Sequence, residues 1–491
     1  MKKFLIVTIC LLSGFVCFGC KKSENLNQLG ENLTQYEINL TINTDTHQAT
    51  AQQTVSYTNN TGAILKHIKF HLYPQYFEQG ATSCVISPTQ LNNAYPNGMS
   101  YSEFNIDRIK VEGTDSEIQY EGEHDGILNV TLFNSLTPNE TCEIQMEYSF
   151  TLPNCNHRFG YGENTINLAN FYPIACVFEN GEFSVSPYHA NGDPFYSDMA
   201  NYCVSINYPN QYIVASSGVE TSEETQEHTT TSTFKANMIR DFAMVLSDEF
   251  RTISDKYKNT EISYYYFSDQ TPEASLKAGT DAIETFSKLI GEYPYSTFSI
   301  VETNFVHGGM EYPNLVMISN EIESQDDYLN VIIHETAHQW WYGLIGNDEF
   351  KYPWLDEALT EFSTVLFYDN NQGYNLTHKK IIDTASENYS LFISVYEDVL
   401  GSIDTSMRAV EEYQTEPEYT YCTYVKGVLM YDSLYQLIGK KDFCNSLKIY
   451  FNQNKFKNTT PTELISAFEQ GSKTKLDNFF SAWLNGKVQI R

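Results

Sequence analysis

At 491 residues the chain is long enough for two domains, each with its own core. Hydrophobic residues at 41% and aromatic residues at 14% mark it as globular and exclude a disordered chain. A net charge of −32 at pH 7 speaks against a nucleic-acid partner, since no basic stripe is present to meet phosphates, and it favours cationic or neutral ligands over acidic ones.

The chain opens with Met1-Lys2-Lys3, an apolar run from Phe4 to Phe18, and Phe18-Gly19-Cys20. Residues 1–20 read as a targeting segment, whose apolar run is too short for a comfortable membrane span. The segment resembles a bacterial lipoprotein signal, with Cys17 where such signals usually carry Leu. That resemblance implies export, a lipid on Cys20 and a place on the outer face of the cell membrane. An ordinary signal peptide, leaving a secreted or periplasmic protein, and an uncleaved anchor are the alternatives. Residues 21–35 are polar and Asn-rich and read as a tether. Export permits disulfides, but the cysteines beyond Cys20 are odd in number and show no CxxC spacing, which predicts neither a disulfide framework nor a thiolate zinc site.

From Tyr36 the pattern is strand-like. Ile38, Leu40 and Ile42 alternate with polar residues, Val55 and Tyr57 do the same, and Ile68 to Leu72 and Ile127 to Leu132 follow between turn-forming residues. Residues 36–254 are therefore read as a β-rich domain. Glu220 to Thr233 is a hairpin tip or loop within it, and Arg240 to Leu246 is its last strand. Residues 255–491 form the second domain. Thr271-Pro272-Glu273 opens a capped helix that ends at Gly291, and Ser299 to Glu302 and Leu315 to Ile318 are strands. Segments after Val425, Phe443 and Thr460 read as helices.

The stretch Val331 to Gly343, VIIHETAHQWWYG, carries the chemistry. On a helix, His334 and His338 project from one face a turn apart, so both imidazoles can bind one metal ion. Glu335 stands at the edge of that face, able to reach a water without being a ligand. A catalytic zinc site takes three protein ligands and keeps one position open. The third is expected at Glu357, in a second helix starting at Pro353, whose buried stripe is Leu355, Leu359, Phe362 and Leu366. An unpaired carboxylate buried among those residues is costly, and a metal would satisfy it.

Upstream lies His307-Gly308-Gly309-Met310-Glu311-Tyr312-Pro313, and downstream Tyr424-Val425-Lys426-Gly427. With HETAH, eighteen residues and Glu357, these stretches resemble the gluzincin aminopeptidase family, to which aminopeptidase N and leukotriene hydrolase belong. The resemblance implies an α+β protein, with a β-rich, saddle-like N-terminal domain and a thermolysin-like, mainly helical catalytic domain. It implies one zinc ion per chain on His334, His338 and Glu357, with Glu335 as general base. It also implies that Glu311 holds a free peptide amine, that Gly308, Gly309 and Met310 line the substrate path, and that Tyr424 stabilises the tetrahedral intermediate. Tyr312 stands where the family usually has Asn, which bears on substrate contact and not on the metal site. His67 to Pro74 and Gly192 to Asp198 resemble N-terminal segments of bacterial members. Relatives often carry further domains beyond the position where this chain stops, so a member without them is expected.

The function so implied is zinc-dependent removal of N-terminal residues from peptides. A zinc endopeptidase or another hydrolase would share the metal site without needing Glu311. A non-catalytic surface binding lipoprotein would leave Glu335 and Tyr424 without a role.

Overall fold

Strand Gln35–Asn43 buries Tyr36, Ile38, Leu40 and Ile42 and exposes the residues between them, the period-two pattern of a sheet with one wet face. In the computed structural model, which describes residues 26–401 and 404–488, this strand sits inside an eight-stranded sheet. Its order is Val219–Thr225, Thr229–Ile239, Ala200–Pro209, Gln35–Asn43, Gln48–Thr58, Thr141–Thr151, Glu103–Val111 and Thr114–Ser116. Gln35–Asn43 pairs parallel with Ala200–Pro209, and the register sets Tyr36 beside Tyr202 with their rings stacked 4.8 Å apart. Two four-stranded sheets accompany it. The segments that join these sheets carry Arg158 and Asp193 into the central cleft.

Two expectations are corrected here, and a third, the hairpin at 220–233, is sharpened. The tether does not extend to residue 35: Leu26–Leu29 is a short helix and Gly30 is buried, because Asn201 donates to the Gly30 carbonyl at 2.8 Å and Asn237 donates to Asn27 at 2.6 Å. Residues 220–233 are mostly strand, a Thr-rich hairpin of Val219–Thr225 and Thr229–Ile239; β-branched threonine suits a solvent-facing strand. The expected division at 254/255 falls inside Arg251–Tyr257, which pairs from Arg251 with Tyr266 to Tyr257 with Thr260. A hairpin cannot be split between domains, so the change of sheet falls between Ser247 and Arg251. The targeting segment lies outside the described residues.

The second half is built on a five-stranded sheet, Arg251–Tyr257, Thr260–Tyr266, Thr297–Thr303, Leu315–Ser319 and Gly309–Met310. Helix Pro272–Leu289 buries Leu276, Ile283 and Phe286, and helices Gln325–Ala337 and Trp354–Asn370 lie beyond it. His378–Leu400 is a long helix that the sequence reading passed over. Lys426–Ile438, Lys440–Asn454, Pro461–Ser472 and Asp477–Leu484 complete the helical layer. No disulfide joins two cysteines among the described residues.

The two halves are locked by Arg240, which is only 2% exposed. Its guanidinium donates to the carbonyls of Tyr342 at 2.6 Å, Ser197 at 2.9 Å and Lys457 at 2.7 Å, and also to the Asn458 side chain. The fork of donors thus ties three distant stretches of chain together. Tyr342 in turn donates to Asp241 at 2.6 Å.

Candidate metal centre and substrate cleft

Helix Gln325–Ala337 starts at Ser324, whose hydroxyl accepts from the Asp327 amide, and acidic Asp326 and Asp327 favour its positive end. It ends at Ala337, earlier than the expected Gly343. Beyond it the backbone tightens to i→i+3 bonds, Gln339 to Thr336 and Trp340 to Ala337. The large indoles are better placed off the helix: Trp340 donates to the Gly291 carbonyl and Trp341 to Ser363, both at 2.8 Å. His338 still keeps right-handed dihedrals as the cap residue, so its ring stays one turn from that of His334.

The second helix, Trp354–Asn370, brings Glu357 to both rings. Glu357 Oε2 lies 3.2 Å from His338 Nε2 and 3.5 Å from His334 Nε2, and the two Nε2 atoms are 3.1 Å apart. The other ring nitrogens fix the tautomers. His338 Nδ1 donates to the Trp341 carbonyl at 2.9 Å, and His334 Nδ1 lies 3.3 Å from Glu361 Oε1. With both Nδ1 atoms committed as donors, both Nε2 lone pairs face the Glu357 oxygen, and three convergent electron-pair donors require a cation among them. One carboxylate and two imidazoles are a zinc set. The residues present therefore fit the metal.

Electrostatics agree. Burial disfavours a charged His338, yet Glu311 and Glu357 outweigh it and push the imidazolium up to about 10. Glu357 is held ionised against burial, chiefly by His338, well below the usual carboxylate range. Burial raises Glu335 to about 7 against the pull of His334 and His338. The carboxylates that favour a positive charge on these rings equally favour a divalent cation between them.

Glu335 and Glu311 are 6% and 4% exposed, and each has one carboxylate oxygen with no hydrogen-bond partner. Both line a cleft of about 280 Å³ that also holds His334, His338 and Glu357. Gly309–Met310 pairs with Met317 and Ile318 at the sheet edge, and strand alternation turns Glu311 to the cleft and Met310 to the core. Met310, expected as a substrate contact, is thus 1% exposed and is not among the lining residues. Gly308 and Gly309 do line the cleft. A side chain at Gly309 would overlap the Glu335 carboxylate, so glycine is what lets that carboxylate reach its place. Tyr312, the departure from the family pattern, is buried and donates to Asn170 at 2.9 Å, while Gln339 holds its carbonyl at 3.1 Å. It is not part of the cleft lining.

Tyr424 lies on a single π-type turn, in which the Lys426 amide bonds the Tyr421 carbonyl; such turns recur at functional positions. Its hydroxyl donates to Glu357 Oε1 at 2.5 Å. Lys426, buried, anchors the turn through Asp404 at 2.5 Å. Tyr419 packs edge-on against Tyr424, with ring centroids 5.9 Å apart.

Some residues escaped the sequence reading. Glu361 was read only as a neighbour of Glu357, although its i,i+4 spacing put both on one helix face toward HETAH. Asp193, from the first half, is ion-paired with Arg158, and its carboxylate and those of Glu311 and Glu357 offer oxygens within 4.8 Å of one another. Arg158 lies over the Phe195 ring at 4.9 Å. Glu416 also lines the cleft. Nothing in spacing or composition joins these three to the motif.

Residues 275–483 match the Peptidase family M1 domain. Among curated relatives, the human aminopeptidase B is 27% identical over 41% of this chain and 33% of its own length. Aminopeptidase N of Haemophilus influenzae is 25% identical over 48% of this chain and 29% of its own, and leucine aminopeptidase 2 of Lodderomyces elongisporus 24% identical over 41% and 35%. The chain spans about a third of the length of these relatives. The fold is that of the M1 zinc metallopeptidase from Deinococcus radiodurans, with a TM-score of 0.64 at 16% identity over 94% of this chain and 96% of that one. A variant of that protein bound to a Tyr-Ser-Ala substrate superposes with a TM-score of 0.63 at 15% identity, over the same shares of the two chains.

Proposed function

We propose that the chain, whose residues 275–483 match the Peptidase family M1 domain, is a zinc aminopeptidase of that gluzincin family and removes residues from the free amino end of peptides. The carrying observation is Glu311. Its carboxylate is buried, one oxygen has no partner, and it faces the cleft that holds His334, His338 and Glu357. Burial holds the Glu311 carboxyl well above its usual range, and a peptide ammonium, which brings three donors and a positive charge, favours its ionised form. Pairing the amine with Glu311 sets the register of the peptide, which is what distinguishes removal of one residue from internal cleavage. Tyr312, turned into the protein, leaves that register unobstructed.

His334, His338 and Glu357 would hold the zinc, which would supply Lewis acidity for a carbonyl and lower the pKa of water to about 7. The chain supplies the rest. Glu335, with an unpartnered oxygen in the cleft, takes the proton of the attacking water and returns it to the leaving nitrogen. The Tyr424 hydroxyl donates to the oxyanion that develops on the substrate, and the anchored turn holds it in place beforehand. Glu361 and the Trp341 carbonyl keep both imidazoles in the one useful tautomer.

The test uses paired substrates. A peptide with a free amine, cationic below its pKa of about 7.7 to 8.0, should be cut one residue at a time, and its acetylated form should resist. Glu311→Ala should abolish most turnover of the free peptide while zinc content stays at the wild-type level. Internal cleavage of the acetylated peptide at a comparable rate, with Glu311→Ala nearly silent, would replace this reading with an endopeptidase.

A further inference from the structure

Outside the cleft, three side chains of different chemistry meet at the surface of the first half. Cys84, half-buried, closes the short turn Thr82–Cys84, and the exposed Glu123 and His124 stand on the turn Glu123–Asp125. The thiol sulfur, a carboxylate oxygen and an imidazole nitrogen of these residues all lie within 4.8 Å of one another. Glu123 Oε1 and His124 Nε2 are 3.7 Å apart. Tetrahedral zinc, with bonds of about 2.0 to 2.3 Å, holds its ligand atoms about 3.3 to 3.8 Å from one another. The trio therefore has to close by no more than about 1 to 1.5 Å to enclose one ion.

The backbone keeps the three together. The Gly126 amide closes the second turn on the Glu123 carbonyl at 3.0 Å, and the Leu72 amide holds the Gly126 carbonyl at 2.8 Å. His124 and Asp125 both take the left-handed backbone, with φ of 53° and 57°, and along this path the adjacent side chains Glu123 and His124 reach one point. The Tyr76 ring stands edge-on to the imidazole, with centroids 6.1 Å apart. Among the described residues no lysine or arginine pairs with Glu123, which leaves its charge open to a cation.

We propose that Cys84, Glu123 and His124 form a second metal site, which takes zinc or a similar borderline-soft divalent ion. A thiolate and an imidazole select against Ca²⁺ and Mg²⁺, which take oxygen ligands. No CxxC spacing announces the site, because its ligands come from two segments far apart in the chain. The ion braces the cleft. Val85, next to Cys84, lines the cleft wall, and Ser87 and Thr89 of the same segment donate to Glu416, another lining residue, at 2.6 and 2.9 Å. Metal on Cys84 ties this segment to the turn at 123–125. With three ligands at the surface it is held less tightly than the catalytic zinc, so dialysis removes it and leaves one zinc per chain.

The experiment adds Co²⁺ to the dialysed, zinc-loaded full chain and reads the near-ultraviolet absorption. Only a thiolate ligand gives an intense sulfur-to-cobalt band there, and the catalytic set of two imidazoles and a carboxylate contains none. One cobalt per chain is expected to bind with that band and to be displaced by added zinc. Cys84→Ser should abolish the band, and His124→Ala and Glu123→Gln should each weaken cobalt affinity by about tenfold or more. Added zinc should also raise the thermal midpoint of the wild type and not that of Cys84→Ser. A band that persists in Cys84→Ser, or cobalt uptake without a thiolate band, overturns the inference. Unchanged affinity in both His124→Ala and Glu123→Gln does the same, since a surface thiol would then be binding cobalt by itself, and so does an equal rise of the thermal midpoint in Cys84→Ser. Should Cys84→Ser fail to fold, the two exposed positions carry the test. None of these readings depends on which peptides the cleft cuts.

Discussion

Two pairs of histidines meet near the cleft, and only one is a metal site. The His334 and His338 rings are 4.9 Å apart, and those of His157 and His307 are 5.2 Å apart. Both pairs meet edge to face. The first is surrounded by Glu311, Glu335, Glu357 and Glu361, which hold its imidazolium forms up. Burial, assisted by the Arg158 charge beside it, drives both rings of the second pair down. His157 is fully buried with neither ring nitrogen bonded, packed among Phe77, Phe305 and His307. Paired imidazoles therefore do not suffice. The sign of the field around them decides whether a cation is drawn in or kept out.

That comparison breaks most visibly at the carboxylates. Glu357→Ala should lose both zinc and activity, because one ligand and the main counter-charge of the pair disappear together. Glu335→Gln should keep its zinc and lose about 10²- to 10⁴-fold in kcat, the usual worth of a general base. Metal analysis beside turnover of an aminoacyl substrate separates the two, and loss of zinc from Glu335→Gln would count against its role as a base.

A smaller effect is expected at Glu361, which touches the metal only through His334. Glu361→Gln should weaken zinc by about 10- to 100-fold in competition with a chelator, with full activity restored by added zinc. Unchanged affinity would mean that His334 holds its tautomer without help.

The smallest effect belongs to the other pair. His157→Phe should leave zinc stoichiometry at one per chain and shift stability by less than about 1 kcal/mol, since no hydrogen bond is lost and the volume is similar. Calorimetry and metal content check it together. A fall in zinc would show that the second pair is not the bystander its surroundings make it.

The sequence disclosed the first pair and not the second for a physical reason. Ligands that share a helix are fixed by its period, so His334, Glu335 and His338 could be read from spacing alone, and Glu357 from the helix that follows. Met310 was misread because a residue inside a matching stretch still obeys strand alternation, which sends it to the core. The HETAH helix was read as too long because Trp340 and Trp341 are apolar wherever they pack. Asp193, Arg158 and Glu416 reach the cleft by tertiary folding from three separate segments, and no local pattern encodes that meeting. In the β-rich half, alternation located strands such as Gln35–Asn43. It could not show that this strand pairs parallel with one more than a hundred and fifty residues away.

Arg240 gives the molecule an order in time. Its donors reach the carbonyls of Ser197, Tyr342 and Lys457, so the clasp cannot close until Lys457 has been synthesised. A ribosome delivers the β-rich half first, and during that interval the guanidinium must be satisfied by water. Docking of the halves is therefore a late event in the life of each chain, and the cleft, which draws residues from both, comes into being only when that event is over.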